Sequence, residues 1–493
     1  MNTDTNRDAK WREELRSVLP AKERTSIPRA VIPQLDPKFR VHSNYEVNLG
    51  LSQSQAVLEA TRCLDCPDPQ CIHGCPVSID IPAFIKNIER GEILTAAKVL
   101  KQTSALPAVC GRVCPQEKQC ESRCIYNKMK KQPVAIGYLE RFAADFEREN
   151  LKANNIQPKP LEIEKNGLNI AVVGSGPAGL SFAGDMIKKG YNVTVYEALH
   201  EIGGVLKYGI PEFRLPNDVV EAEINALRAE GVTFVKDCII GKTISYDQLH
   251  QLGYDGIFVA SGAGLPRFMG IPGENFIGIM SANEYLTRIN LMGAGRPGED
   301  TPVLKGNRVA VIGGGNTAMD SVRTALRQGS KKAMIVYRRS LEEMPARVEE
   351  VHHAQEEGVE FMTLCNPIEY LADEKGRVRA MRVQRMELGE PDASGRRSPV
   401  PIEGAIEEIE VDLVIVSVGV SPNPLIPNAI PELEISRRGT IVVNEETMQS
   451  SLYDIYAGGD IVRGGATVIL AMGDGRRAAA AMHRELTKQE NGE

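Results

Sequence analysis

Eight of the ten cysteines in this 493-residue chain fall between Cys63 and Cys124, in two runs. The first, TRCLDCPDPQCIHGCP, spaces Cys63, Cys66, Cys71 and Cys75 by two, four and three residues; the second, AVCGRVCPQEKQCESRC, holds Cys110, Cys114, Cys120 and Cys124. Thiols this dense, behind an N-terminus (MNTDTNRDAKWREELR) without the apolar core of an export signal, point to metal rather than disulfides. Zinc ribbons use two short C-x2-C pairs. Runs closing on Cys-Pro, as at Cys75-Pro76 and Cys114-Pro115, suit iron–sulfur clusters, so the spacing favours iron–sulfur over zinc. In such runs the last cysteine often serves the other cluster.

A second kind of chemistry sits in two glycine turns. In NIAVVGSGPAGLSFAGDMIKKGYNVTVYEA, a buried-strand run ends at Gly174, Gly176, Pro177, Ala178 and Gly179, and a helix and second strand lead to Glu197. The first glycine permits the turn, the second admits a pyrophosphate to the backbone, and the third lets helix pack on strand. The helix N-terminus faces the phosphates, and Glu197 is placed to accept from both ribose hydroxyls, which favours an unphosphorylated ribose, as in FAD or NAD. Gly203 and Gly204 follow and let backbone pass close to a flat ring or a phosphate.

The other turn lies in NRVAVIGGGNTAMDSVRTALRQGSKKAMIVYRRS. Gly313, Gly314 and Gly315 lead through Asn316 and Thr317 into a helix, with Ala318 where the third glycine would stand. This unit's second strand ends in Arg338-Arg339 instead of an acid. Paired guanidiniums match a 2′-phosphate, so NADPH is expected here. Near the C-terminus, Gly459 and Asp460 end a short strand. Asp460 is a candidate partner for a ribitol hydroxyl, and a helix starting at Thr467 or Gly475 would turn a positive end toward a flavin.

These residues need elements to hold them. The expected fold class is α/β: an N-terminal α-helical iron–sulfur domain followed by two Rossmann-like nucleotide-binding domains, the FAD domain interrupted by an NADPH domain. The boundaries read as 1–160 (helical), 161–290 (FAD, first part), 291–420 (NADPH) and 421–493 (FAD, second part). Ser52 or Ser54 caps a helix leading to Cys63, and Phe84, Ile85, Ile88, Leu94 and Leu100 recur at helical spacing as plain core. A polar helix is expected from Tyr138 to Glu149, a linker over 150–166, and charged hairpins from Arg377 to Glu410. His352 and His353 read as surface residues. The net charge of −7 argues against nucleic acid, and no apolar run is long enough to span a membrane, so the expected location is the cytoplasm. Cys238 and Cys365 lie far apart, so there is no sequence-adjacent redox pair of the kind disulfide reductases use.

Together, C-x2-C-x4-C-x3-CP, CGRVCP, GSGPAGL, YGIPEFRLP, GGGNTAMD, YRR, EMPA and AGGD resemble, over about residues 40–493, the small (beta) subunits of NADPH-dependent glutamate synthase. The N-terminal half of dihydropyrimidine dehydrogenase and the large subunit of NADH-dependent ferredoxin:NADP oxidoreductase are similar too. The resemblance implies two 4Fe-4S clusters. Cys63, Cys66, Cys71 and Cys124 would hold one; Cys75, Cys114, Cys120 and a non-cysteine ligand, here Glu140, would hold the other, with Cys110 spare. It also implies hydride transfer from NADPH to FAD by positioning alone, with no catalytic acid or base, then single electrons through the clusters to a partner. That partner would be the glutamate synthase large subunit, which makes glutamate from 2-oxoglutarate and glutamine, or another electron-accepting subunit in a hetero-oligomer. The other readings are an electron-bifurcating NADPH:ferredoxin transhydrogenase subunit and a non-enzymatic iron–sulfur redox sensor.

Overall fold

The computed structural model describes residues 4–393 and 395–491. Its N-terminal part is helical, with helices Lys10–Val18, Gln53–Thr61, Ile81–Glu89, Ile93–Lys101, Pro107–Val113 and Ile136–Ala153 among its elements. Ser52 caps the second of these in a capping box with Gln55, and the Asp80 side chain accepts from Ala83 N–H at the start of the third. Phe84, Ile85, Ile88 and Leu100 are buried as their spacing predicts, but Leu94 is 40% exposed. Leu94 stands in the first turn of its helix, off the face formed by Ile93, Ala96, Ala97 and Leu100. The helix expected from Tyr138 runs from Ile136 through the start of the expected linker to Ala153.

Glycines set how closely these elements meet. A Cβ on Gly111 would come within 2.5 Å of Arg141 N, one on Gly137 within 2.1 Å of the Gln116 side chain, and one on Gly74 within 2.8 Å of Gln119 O. The first two bring helix Pro107–Val113 and Gln116 onto helix Ile136–Ala153; the third brings the first cysteine run onto the second.

Two parallel five-stranded sheets follow. In chain order the strands are β1 (Asn169–Val173), β2 (Asn192–Tyr196), β3 (Thr233–Val235), β4 (Gly256–Val259), β5 (Leu265–Pro266), β6 (Ile279–Ser281), β7 (Arg308–Ile312), β8 (Lys332–Tyr337), β9 (Glu360–Thr363), β10 (Cys365–Ala372), β11 (Val378–Pro391), β12 (Arg397–Glu410), β13 (Leu413–Val416), β14 (Val420–Ser421) and β15 (Ile455–Ala457). The first sheet has the order β15-β4-β1-β2-β3 and the second β6-β13-β7-β8-β9. Past the leading Asn169 and Arg308, their central strands are apolar and buried, as strands covered on both faces must be. The chain crosses between them through the antiparallel ribbon β5–β14. Because β6 pairs with β13, the segment 279–290 packs with the second sheet and not, as the expected boundary at 290 has it, with the first. The charged stretch Arg377–Glu410 forms β11 and β12, which with β10 make a three-stranded antiparallel sheet.

Buried ions hold the parts together. Arg214, beyond the first nucleotide turn, binds Asp320 and Glu350 of the second unit; Arg323 binds Glu350 and Glu357; Arg40 of the N-terminal arm reaches Glu356 and Glu357. Phe213 lies under the guanidiniums of Arg323 and Arg327. His353 belongs to this junction and is only 2% exposed, whereas His352 is exposed. Neighbouring helical residues point about 100° apart, so one faces solvent and the other is driven into the charged seam. The surface reading therefore holds for His352 alone.

Candidate functional site

The cysteines gather into two groups that draw on both runs. Burial, then the charges of Cys63, Cys124 and Cys66, raise the Cys71 thiol far above its ordinary value; burial, then Cys124, raise Cys66. Cys63 is pushed up to about 11 by burial, against the opposing charge of Lys86. In the second group burial pushes Cys75 up to about 11, with Glu140 and Cys110 adding to it. Cys114 is raised by its hydrogen bond with Cys110, by burial and by Glu140 and Cys120. Cys120 is raised by burial and then by Glu121, Cys75, Glu140 and Cys71. The charges felt at Cys120 thus include one thiol of the first group.

A bound cation would favour the thiolate form against this burial. Among the described residues no three His, Cys, Asp or Glu donors converge on a single ion, as a zinc about 2.3 Å from each thiolate requires. The donors on offer are free thiols, the ligand type that iron–sulfur clusters take.

Glu140 fits the second group. Its side chain is 6% exposed, its Oε1 has no hydrogen-bond partner, and burial followed by repulsion from Glu223 pushes its carboxyl up to about 8. An unpartnered buried carboxylate oxygen is costly unless something binds it. Cys110 lies deeper, its Sγ 3.4 Å from Met472 Sδ. Around the first group the charge is basic. Lys86 Nζ donates to Cys63 O at 2.6 Å, and buried Asp65 gathers Arg12 and Arg16 while Arg7 Nε donates to Asp65 O at 3.0 Å. The N-terminal helix, whose role composition leaves blank, is thereby tied to Asp65, between Cys63 and Cys66.

At the first nucleotide turn, Gly174 adopts φ +104°, and a Cβ there would stand 2.4 Å from Ala260 O. A Cβ on Gly179 would stand 2.0 Å from Gly174 O, whereas one on Gly176 would meet nothing within 4 Å. The turn is closed at its ends and open where a pyrophosphate approaches. Pro177 and Ala178 begin helix Pro177–Ile187, and Gly204 crosses beside Gly176. Glu197 is buried; its Oε2 accepts from Ser175 N–H at 3.0 Å and its Oε1 from Leu199 N–H at 2.9 Å. Ser175 Oγ donates to Oε2 as well, so of a carboxylate's roughly four lone-pair sites about one is left for a ribose hydroxyl. Ser175 Oγ in turn accepts from Gly203 N–H.

Across from this turn lies the C-terminal segment. Gly459 adopts φ +78°, Asp460 is pushed up to about 6 by burial against a hydrogen bond from Ala466 N–H, and Thr467 precedes helix Val468–Asn491, so the helix starts at the earlier of the two expected positions. Tyr208 is pushed up to about 12 by burial and then by the charges of Asp460 and Glu197.

The second turn repeats the first. Gly313 (φ +139°) carries a position where a Cβ would strike Ser417 O at 2.2 Å, Gly314 packs on the Tyr337 ring, and Gly315 is open. Gly313, Gly314, Gly315, Thr317, Arg338 and Arg339 line a cavity of about 560 Å³. Asn316 does not share in this lining: its Oδ1 accepts from Arg347 N–H at 2.9 Å, because the segment 345–347 runs back over the glycine turn. The two arginines also part company. Arg338 is exposed, while Arg339 is buried, paired with Asp392 and donating through Nε to Arg397 O.

Residues 40–152 match the family described as dihydropyrimidine dehydrogenase domain II, 4Fe-4S cluster, and residues 168–475 the pyridine nucleotide-disulphide oxidoreductase family. The glutamate synthase [NADPH] small chain of Azospirillum brasilense is 37% identical over 444 residues, covering 89% of this chain and 90% of its own length. The chain belongs to the glutamate synthase small-chain family. The NADP(+)-dependent formate dehydrogenase subunit beta of Moorella thermoacetica is 38% identical over 84% of this chain, which spans 60% of that protein's length. Among solved structures, FprA of Mycobacterium tuberculosis in complex with NADPH has the same fold over 66% of this chain and 86% of its own, with TM-score 0.56 and 22% identity. As a member of the glutamate synthase small-chain family, the chain is an oxidoreductase with an iron–sulfur domain ahead of its pyridine-nucleotide fold. Its helices are nowhere long and apolar enough, among the described residues, to cross a membrane.

Sequence reasoning about this family passes over Arg12, Asp65, Tyr208 and Arg396. Arg396 lines the second cavity from a hairpin more than fifty residues downstream of the glycine turn, and nothing local to it signals a nucleotide.

Proposed function

We propose that the chain is the electron-input subunit of an NADPH-dependent glutamate synthase, holding FAD, NADPH and two 4Fe-4S clusters. Cys63, Cys66, Cys71 and Cys124 hold one cluster; Cys75, Cys114, Cys120 and Glu140 hold the other. FAD occupies the first nucleotide turn, with its phosphates against Gly176 and the start of helix Pro177–Ile187, a ribose on Glu197, and Asp460 and Thr467 toward its ring system. NADPH occupies the second, with its phosphates against Gly315 and its 2′-phosphate near Arg338. Bound there, these groups supply hydride transfer from NADPH and one-electron passage toward a partner subunit.

The chain's own work is placement. Two open glycines admit phosphates, Glu197 and Arg338 sort an unphosphorylated from a phosphorylated ribose, and the Arg214–Asp320–Glu350 junction fixes one nucleotide unit against the other. Hydride transfer by proximity needs no proton donor, and no side chain is assigned as acid or base.

The observation that carries this reading is a contact between the flavin unit and the second thiol group. Helix Val468–Asn491 touches the Cys75–Pro76 loop, where a Cβ on Gly473 would stand 2.9 Å from Pro76 O, and Met472 touches Cys110. A route out of the flavin unit thus opens onto the Cys75, Cys114, Cys120 and Glu140 group and continues through the Cys120–Cys71 neighbourhood to the other thiols. Co-purification tests it: the partner should be a large chain that forms glutamate from glutamine and 2-oxoglutarate when NADPH is supplied. A small NADH-oxidising flavoprotein in its place would assign the chain to electron bifurcation instead.

A further inference from the structure

The tip of the β11–β12 hairpin reaches the second nucleotide cavity. Pro391 and Arg397 pair at the end of the ladder, and the turn between them is closed by Asp392 N–H donating to Arg396 O at 2.7 Å and Gly395 N–H to Asp392 O at 2.8 Å. Arg339, just past the end of β8, holds this turn from the sheet side. Its Nε donates to Arg397 O at 2.8 Å and its Nη2 to the Asp392 carboxylate at 2.5 Å. Arg396 lies between those two anchor points and lines the cavity together with Arg338 and the glycine turn.

The charges make this arrangement informative. A phosphate monoester carries about −1.5 to −2 at neutral pH, more than one guanidinium balances. The dipeptide Arg338-Arg339 looks like the matching pair, yet the charge of Arg339 is already met by Asp392. Arg396 of the hairpin also lines this cavity, beside Arg338.

We propose that Arg396 joins Arg338 on the 2′-phosphate of the nucleotide, and that Arg339 and Asp392 are positioning residues that hold the hairpin tip over the cavity. The proposal rests on the reading of the second unit as an NADPH site. A planar fork suits Arg396 to bidentate phosphate binding, which a lysine does not reproduce.

The test is calorimetric binding of adenosine 2′,5′-bisphosphate and of adenosine 5′-monophosphate to the flavin-loaded enzyme, alongside NADPH kinetics. Arg396→Ala should weaken bisphosphate binding about 10- to 100-fold, the loss expected for one charge-assisted contact, and leave the monophosphate unchanged. Arg396→Lys should recover part of the loss, and KM for NADPH should rise while kcat holds. Asp392→Asn, which loosens the tip without touching the nucleotide, should lower the bisphosphate-to-monophosphate preference in the same direction by less. An Arg396→Ala enzyme that keeps its preference while Arg338→Ala loses it overturns the hairpin proposal and leaves the NADPH reading standing. A wild-type enzyme that binds the two probes equally overturns the NADPH reading itself.

Discussion

Arg214 Nη1 lies 2.8 and 2.6 Å from the two carboxylate oxygens of Asp320, and both side chains are buried. The pair joins the segment after the first nucleotide turn to helix Asn316–Arg327, the helix that begins at the second turn. Removing one partner leaves an uncompensated charge in the interior. Arg214→Ala should therefore cost about 3 to 5 kcal/mol in denaturant unfolding, and the apolar pair Arg214→Met with Asp320→Leu should recover only part of it, because Glu350 then keeps Arg323 but loses Arg214. Flavin reduction by NADPH in that double variant should stay slow, because packing restores part of the stability without restoring the alignment of the two units. A loss below about 1 kcal/mol for Arg214→Ala would mean that the junction is wet and unimportant.

Glu350 gives the junction a pH signature. Burial pushes its carboxyl up, but Arg214, Arg323, His353 and Arg347 outweigh burial and hold it down at about 2. The unfolded value is about 4.3, so the group's contribution is present above about pH 4.3 and is lost as pH falls toward 2. Unfolding followed by circular dichroism should show stability falling as pH drops from about 4.3 toward 2, with a shallower fall in Glu350→Gln. Equal slopes would remove Glu350 from the account.

The two nucleotide turns can be separated by glycine substitutions. Gly176→Val places its side chain in open space, so the protein should fold and lose its yellow colour; Gly315→Val should keep the colour and lose NADPH binding. Gly174→Ala meets Ala260 O at 2.4 Å from a left-handed backbone, so it should damage the fold itself. Flavin retained by a folded Gly176→Val variant would move the FAD site elsewhere.

These contrasts show what the sequence discloses and what it hides. Strand, glycine turn and helix are consecutive in the chain, so both nucleotide units are legible there, down to the closed and open glycines. The two cysteine runs are legible as well. Glu140 looks like any glutamate on a polar helix; its burial depends on Gly111 and Gly137, which let distant segments close over it. His353 and Arg339 mislead for a related reason. Each sits beside a residue of the same type, and tertiary packing sends one of the pair outward and the other into a seam or an ion pair. Arg396 and Arg12 reach their sites from remote segments, a kind of information that local pattern does not contain.

In the proposed assembly the N-terminal thiols and one carboxylate hold two iron–sulfur clusters beside a flavin. Cofactor analysis of the anaerobically purified chain tests it most directly. One FAD and about eight iron atoms with as many acid-labile sulfides per chain are expected. Iron should fall to about four in Glu140→Ala and stay near eight in Cys110→Ser. Zinc in place of iron, or iron that survives Glu140→Ala and falls in Cys110→Ser, would contradict the claim and, in the second case, make Cys110 the missing ligand.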